Sequence, residues 1–468
     1  MRLREKSIRT AVIAGAGVGC AVAAWKTWKS AAVRRDNRSI PPKQKIVIIG
    51  AGFAGVNVAR ELASLLPAES DGQITLVDQN NYLLFTPMLT EVAGGELDAR
   101  HILAPLRQVS PRINFEQGRV HEIDLPNKAV VLDSINRDGA RRTLTADHLV
   151  IALGSVPNFH GIPGVSENSL GLKSIGDAAV IRNRILQALE DANVEKDSSV
   201  RKRILTFVVG GGGYTGVEIM AAINDLVRTS LQNYPKISSA DIRTLLVEPG
   251  ERLMPELSAD LAAFGQKKLE ERGVEVRLRT KITNAAAGSV ELENSERIPT
   301  RMLVWAGGIK PNPLIEKLDC ERGKQGGIVV DEFCAVPGRP GVWALGDCAE
   351  VPQRDSKGTY APTAQNATRQ GAIVAHNIVA LLRGQHPEPF RYTPLGELAL
   401  VGRHSGVARI YGHHFSGFLA WAMWRAVYLS KMPGMAQRSR IVLDWVLDFI
   451  FGRNIAELPL ERPAAPTQ

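Results

Sequence analysis

Cysteine is scarce: the 468-residue chain has 4, at Cys20, Cys320, Cys334 and Cys348, and no Cys-x-x-Cys pair. This spacing excludes a disulfide framework and a structural zinc site, and makes a reducing compartment the default. Histidine offers no metal site either, because the adjacent His413 and His414 lack a partner at E-x-x-H or H-x-H spacing. Internal repeats and long low-complexity stretches are absent, which removes solenoid and fibrous classes. Hydrophobic residues at 44% and charged residues at 22% fit neither a polytopic membrane protein nor a disordered chain. The length suits two or three packed units of roughly 100–200 residues.

Acidic residues are the minority, 48 against 57 Lys+Arg, for a net charge of +9. A basic excess of this size raises nucleic acid or an anionic membrane surface as the partner. Its distribution favours the membrane. The first 45 residues hold 11 basic and 2 acidic residues, so the remaining chain carries 46 of each. No nucleic-acid recognition module accompanies the charge, and no nucleic-acid partner is expected. Within residues 1–44, an uncharged run from Thr10 to Trp25 lies between basic flanks. A spanning helix needs about 20 apolar residues. An anchor, a signal-type segment with Ala21-Val22-Ala23 as its cleavage site, and a surface helix therefore all stay open.

From Lys45 the pattern is an α/β rhythm. KIVIIG is a short buried strand, the following GAGFAGVNVARELASLL has helical spacing, and QITLVDQ is a second strand. A second βαβ unit runs from RILTFVVGGGG through a helix beginning at Tyr214 to TLLVEPG. In the first unit Gly50, Gly52 and Gly55, with Phe53 and Ala54 between them, form G-x-G-x-x-G at the strand–helix turn, and Asp78 ends the next strand. In such a turn the glycines permit a tight bend, close approach of a pyrophosphate and helix–strand packing, and the acid accepts from a ribose hydroxyl. Gly211, Gly213 and Gly216 repeat the motif around Tyr214, with Glu248 as the acid. Two such sites imply two dinucleotides. A carboxylate at Glu248 repels a 2′-phosphate, so NADH is expected over NADPH, although Arg252 is near enough to blur that preference.

GVWALGDCAE, with Asp347, is similar to the second flavin motif of flavoproteins with two dinucleotide-binding domains, and LVIALGS, with Gly154, resembles the segment that returns their chain from the nucleotide domain. The resemblance assigns FAD to the first unit and NADH to the second. The expected fold class is α/β, with two Rossmann-like dinucleotide-binding domains, the FAD domain discontinuous and the NADH domain inserted, plus a C-terminal membrane-associating helical segment. The boundaries fall at 45–160 and 311–395 for the FAD domain, 161–310 for the NADH domain, and 396–468 for the C-terminal region.

GAGFAG, NNYLLFTPMLTEVAGGELD, GGGYTGVE, WAGGIKPNP, GDCAE and APTAQNATRQG, in that order, resemble the type II NADH:quinone oxidoreductases, single-subunit NADH dehydrogenases that do not pump protons. The match runs from about Lys45 to about Leu458. It implies that Ala364 and Gln365 present donors to the flavin ring, that Gln365 lines the quinone side, that Gly307 belongs to the NADH site, and that Glu218 lies near nicotinamide and flavin. Donors at a helix N-terminus favour negative charge on the flavin. Glu218 could orient nicotinamide or relay protons, or could merely complement the helix dipole. The family pattern A-Q-x-A-x-Q ends here in Arg369, with Gln370 adjacent but pointing elsewhere on a helix. That departure puts the quinone headgroup contacts in doubt, while a cation there could stabilise an anionic quinone.

The rival classes are a disulfide reductase, a sulfide:quinone oxidoreductase, a soluble ferredoxin-type reductase and an NADH-sensing flavoprotein with a signalling role. A disulfide reductase would show a Cys-x4-Cys pair after the first βαβ unit, where the stretch following Asp78 has no cysteine. A sulfide:quinone oxidoreductase would need catalytic cysteines and no second nucleotide site, whereas this chain has GGGYTG and Glu248. The C-terminal region weighs against the third. Phe415, Phe418, Trp421, Trp424 and Tyr428, then Ile441, Trp445 and Phe449, flank a KMPG turn, and no acid occurs from Arg403 to Leu443. Apolar bulk with Trp, Tyr and basic charge suits an interfacial helix. A hairpin closing the core, or a homodimer contact, remains the other reading. The expected place is the NADH-accessible cytoplasmic face of the inner membrane, by peripheral or monotopic attachment.

Overall fold

The computed structural model describes residues 44–67, 73–135, 139–354 and 358–458. The N-terminal basic segment, with its candidate anchor or cleavage site, lies outside the described residues. Strand β1 (Ile46–Ile49) is buried along its whole length and leads into helix α1 (Phe53–Leu65) and strand β2 (Ile74–Asp78). A short helix α2 (Leu89–Ala93), β3 (Asn114–Gln117) and β4 (His148–Ile151) follow. Helix α3 (Ile175–Val194) opens the second unit, which contains β5 (Thr206–Gly210), α4 (Tyr214–Ser230), β6 (Arg243–Val247), β7 (Val274–Arg277) and β8 (Met302–Trp305). The chain then returns to the first unit with β9 (Val342–Ala344) and α5 (Ala364–Leu382).

Two parallel sheets result. In the first the order is β9-β4-β1-β2-β3, and in the second β7-β6-β5-β8. Their central strands read as continuous apolar runs because both faces are covered. β9 joins the first sheet although the whole second sheet precedes it in the chain. Helices α1 and α5 pack together over the first sheet. Gly371 makes that approach possible, since a Cβ there would stand 2.6 Å from the Ala54 carbonyl oxygen and 3.0 Å from Asn57 Cβ.

The C-terminal region is not wholly helical. It starts as a three-stranded antiparallel sheet of β10 (Gly396–Gly402), β11 (Ser405–Ile410) and β12 (His413–Gly417), and then forms helices α6 (Phe418–Lys431) and α7 (Met435–Phe451). The hairpin turns fall at residues with positive φ, His404 at 59° and Tyr411 at 49°, beside Gly412 at 80°. A scan for aromatic bulk misses these strands, whose inward side chains are small or aliphatic. Trp424, Met432 and Ile441 belong to the same core as α4 and the second sheet. The aromatic character of the region is therefore partly core, and the outward residues form a separate apolar face. No helix among the described residues is long and apolar enough to cross a membrane.

Gly371→Ala should wedge α5 away from α1 and destabilise the fold by about 1–3 kcal/mol. Thermal unfolding of the flavin-loaded protein checks this: a lowered Tm is expected, and a variant as stable as the parent would contradict the close approach.

Candidate functional site

Both glycine turns are built alike. Gly50 and Gly211 have φ of +96° and +107°, and a Cβ would meet the carbonyl oxygens of Ala152 at 2.2 Å and Ala306 at 2.5 Å. Glycine is required at both by conformation and by space. At Gly52 and Gly213 an added Cβ would meet nothing within 4 Å, so open space lies over each helix start. Neither α1 nor α4 has a side-chain cap, whereas α3 carries a Ser174 capping box and α5 a Thr363 cap. Uncapped first-turn amides beside open space fit the pyrophosphates of two dinucleotides, with Phe53, Ala54 and Gly55 at one turn and Tyr214 and Gly216 at the other.

The acids are held in place by the turns they serve. Asp78 Oδ2 accepts from the Ala51 amide at 2.7 Å, and Oδ1 from Asn80 at 2.8 Å. Burial still raises its carboxyl above the ordinary value against these amide bonds, so a further donor such as a ribose hydroxyl would suit its ionised form. Glu248 accepts from the Gly212 amide at 2.5 Å and from Gly250 at 2.7 Å. Arg252 donates to the Pro255 carbonyl at 2.7 Å. Gly307 abuts the Trp305 ring, and its carbonyl bonds His160 Nε2 at 2.8 Å.

Asp347 stands beside Gly346, which has φ +72°, and Oδ2 accepts from Ser155 Oγ at 2.7 Å. Lys173 Nζ donates to the same hydroxyl at 3.0 Å; burial lowers the Lys173 ammonium, and Asp347 opposes that shift. A cavity beside Asp347 is lined by Lys310, Glu350, Tyr360 and Pro362. Gly154, with φ +68°, crosses back next to Ser155. In α5 the Thr363 cap is used by the Asn366 amide, which leaves the Ala364 and Gln365 end of the helix outside that bond. Gln370 is buried and accepts from the Gly346 amide at 2.8 Å, so its role is to hold the flavin-motif turn.

Gln365 and Arg369 form one group with Tyr392. The Tyr392 hydroxyl donates to Gln365 Oε1 at 2.7 Å, and the Arg369 guanidinium lies 4.0 Å from the Tyr392 ring centroid. Desolvation, then the like charge of Arg369, lowers the Lys431 ammonium at the end of α6. Glu218 sits apart from this group, under the C-terminal layer. It accepts from the Leu400 amide at 3.0 Å and the Trp424 indole at 3.2 Å, and lines a cavity with Glu91 and Glu96. Burial raises its carboxyl to about 8, against the pull of those two donors. Aromatic contacts connect the regions: Phe53 to Phe85 at 5.7 Å, Phe85 to Tyr428 at 6.3 Å, and Tyr428 to Trp424 at 4.6 Å. Tyr392, Lys173, Glu91 and Arg425 escaped the reading of the sequence as site residues, since no local motif marks them.

Two dinucleotide sites on two parallel sheets, with a flavin-type aspartate at the return strand, define a pyridine-nucleotide-linked flavoprotein. The family model for pyridine nucleotide-disulphide oxidoreductases matches residues 44–371, and that for the NDH2 C-terminal domain matches residues 395–454. A type II NADH:quinone oxidoreductase of Mycobacterium tuberculosis is 32% identical, covering 88% of this chain and 90% of that one. A probable NADH dehydrogenase of Dictyostelium discoideum is 30% identical over 92% of this chain and 94% of its own. In fold, the chain is similar to the solved structure of NDH2 from Plasmodium falciparum in complex with NADH, with a TM-score of 0.81 at 22% identity over 88% of this chain and 100% of that one. The chain belongs to the type II NADH:quinone oxidoreductase family.

Glu248→Gln removes the negative charge and one of the two amide acceptors. NADH-dependent kcat/KM should fall about 10-fold, the equivalent of about 1.4 kcal/mol, and the NADPH-to-NADH ratio should rise. Steady-state rates with both nucleotides check this, and an unchanged ratio would remove Glu248 from the ribose site.

Proposed function

We propose that the chain is an NADH dehydrogenase that carries electrons from NADH through FAD to a membrane quinone without pumping protons. The observation that carries this reading is the pair of uncapped glycine turns, each with its own acid, joined to a C-terminal layer with an outward apolar face. When bound, FAD accepts a hydride from NADH and gives two electrons to the quinone. The protein supplies position and electrostatics. The α1 turn and Asp78 would hold the adenosine and phosphate part of FAD, and Asp347, with Ser155 and Lys173 behind it, its ribityl chain. The α4 turn, Glu248 and Gly307 would hold NADH. At the N-terminus of α5, Ala364 and Gln365 would face the ring with the positive end of the helix dipole.

Gln365, Arg369 and Tyr392 would form the quinone side. Stacking on Tyr392 fixes the guanidinium as a planar cation, and Lys431 adds a second charge, so negative charge developing on a quinone oxygen is favoured there. Glu218, protonated near neutrality, would hold a proton for the reaction.

Attachment to the membrane would be monotopic. Phe418, Leu443, Phe449, Ile450 and Phe451 are exposed, with Phe449 at 73% and Phe451 at 78%. Large apolar side chains exposed together on α6 and α7 in this way suit a lipid or protein contact. Helix α7, at 17 residues, spans about 26 Å, short of the roughly 30 Å hydrocarbon core, which suits a helix lying in the interface. A homodimer through the same face is the competing arrangement.

Three measurements test these assignments. A spectral titration of flavin-loaded protein should show bleaching with NADH and recovery on adding a short-chain quinone; no recovery would sink the quinone assignment. Arg369→Ala should slow quinone reduction about 10-fold or more while ferricyanide reduction persists, whereas equal loss with both acceptors would assign Arg369 a purely structural part. Phe449→Glu with Phe451→Glu should abolish binding to anionic liposomes and leave soluble-dye reduction intact. If liposome binding survives and a dimer dissociates instead, the face is a subunit contact.

A further inference from the structure

Behind Glu218 lies a second buried carboxyl that the electron path does not use. Glu91, on α2, is 2% exposed. Its Oε1 accepts from Arg425 Nη2 at 3.2 Å, while its buried Oε2 has no partner among the described residues. The same guanidinium nitrogen bonds Glu96 Oε2 at 2.8 Å, and the other Glu96 oxygen is paired with Arg453. Glu91, Glu96 and Glu218 line one cavity between α2, α4 and the C-terminal layer.

The carboxyls lining this cavity exceed the cations bonded to them. From α4, Asp225 is taken by Arg272 and by the Arg403 amide at 2.7 Å. From α7, Asp448 is paired with Arg403 at 3.4 Å. Arg182, on α3, donates to the carbonyls of Asn454 and Ala456. Arg425, and Arg453 shared with Asp448 at 4.0 Å, then remain for three carboxyls. His404 is exposed at the turn between β10 and β11, and desolvation, Arg403 and Arg425 hold its imidazolium below the ordinary range, so near neutrality it adds no charge. Protons held on Glu91 and Glu218 relieve this excess of carboxyls.

We propose that Glu91 is the proton-relay residue behind Glu218, passing to it protons that arrive through Glu96. This rests on the reading of the chain as an NADH:quinone oxidoreductase and assigns the proton route of that reaction. NADH, quinone and one proton give NAD+ and quinol, so each turnover draws one proton from solvent. Glu218 releases its proton toward the reacting pair. The Glu91 carboxyl then transfers its proton to the Glu218 carboxylate, and Glu91 is reprotonated by way of Glu96; O–H bonds alone are broken and made. Arg425 holds Glu91 and Glu96 on one nitrogen, which keeps the two carboxyls adjacent. Burial raises the Glu91 carboxyl to about 8, with Arg425 opposing and Glu96 and Glu218 adding to the rise, so it carries a proton through the neutral range.

The test uses the full flavin-loaded chain and Glu91→Gln, which keeps a hydrogen-bonding side chain toward Arg425 and removes the exchangeable acid. With NADH and a short-chain benzoquinone, the quinone-reducing step should slow at least 10-fold, acquire a larger solvent deuterium isotope effect and lose its pH dependence toward 8. Ferricyanide, which takes electrons without protons, should be reduced at nearly the parental rate. Glu91→Asp should recover part of the quinone rate. A readout independent of turnover is stability. The carboxyl's ordinary value is 4.5 and the folded value about 8, so the unfolded chain releases this proton first and parental Tm should fall as pH rises between them, while Glu91→Gln should flatten that slope. Should Glu91→Gln not fold, Glu96→Gln is expected to slow quinone reduction in the same selective way. A parental quinone rate and pH profile in the folded variants, or equal loss with both acceptors, would overturn the relay. A parent protein that does not reduce quinone at all would instead remove the activity on which the relay rests.

Discussion

Arg425 reaches from α6 to two carboxyl side chains, Glu91 and Glu96, and this triad holds the C-terminal layer on the nucleotide-binding body. Its guanidinium also lies 4.3 Å from the Trp421 ring centroid and 4.5 Å from that of Trp445, so a single side chain joins α2, α6 and α7. Arginine suits the position because its planar face stacks on both rings while its edge reaches carboxylate, which a lysine ammonium does not reproduce. Losing one partner of such a buried group typically costs about 3–5 kcal/mol, because the remaining charges stay buried without compensation. With α6 fixed in this way, Trp424 is fully buried and its indole rests on Glu218. The environment that raises the Glu218 carboxyl thus depends on the attachment of the C-terminal layer.

What could be read from the chain alone divides by range. The glycine turns were legible because strand, turn, helix and acid lie within about 30–40 residues, and each glycine has a local steric reason that leaves a sequence trace. Asp347 was legible through the glycine beside it. Its supports were not: Ser155 lies 192 positions away, and Lys173 has no motif. Arg425 and Glu91 are 334 positions apart, and neither residue type at its position suggests the other. The strands at 396–417 were missed for a different reason. Their pairing is set by glycines and positive-φ turns, while the reading followed aromatic bulk, which begins at Phe415.

The +9 charge is sharpened by the same contacts. Arg403, Arg409 and Arg425 answer Asp448, Glu397 and the Glu91–Glu96 pair, and Arg438 donates to the carbonyls of Met432 and Ser430. Arg403, Arg409 and Arg425 thus answer acids within the fold, whereas Arg438, bonded to carbonyls, keeps its charge. The run without acids from Arg403 to Leu443 therefore reflects partners drawn from elsewhere in the chain. Any attraction to a membrane through this layer would draw on the exposed apolar residues of α6 and α7, a contribution that salt screens far less than ion pairing.

Helix α6 ties these arguments together by its periodicity. Trp424, Tyr428 and Lys431 fall at i, i+4 and i+7 and so share one face. That face leads from Glu218, through the buried end of Tyr428 against Phe85, to Lys431 and the field of Arg369, a rise of about 10 Å along the axis. Phe418 and Leu419 at the N-terminal end of the same helix are exposed. A rigid helix cannot shift its outer end without moving Trp424, which touches Glu218, and Lys431, which feels the charge of Arg369. The surface that would meet the membrane and the groups that would handle the quinone's charge and protons are therefore set by one element, and Arg425 fixes its position.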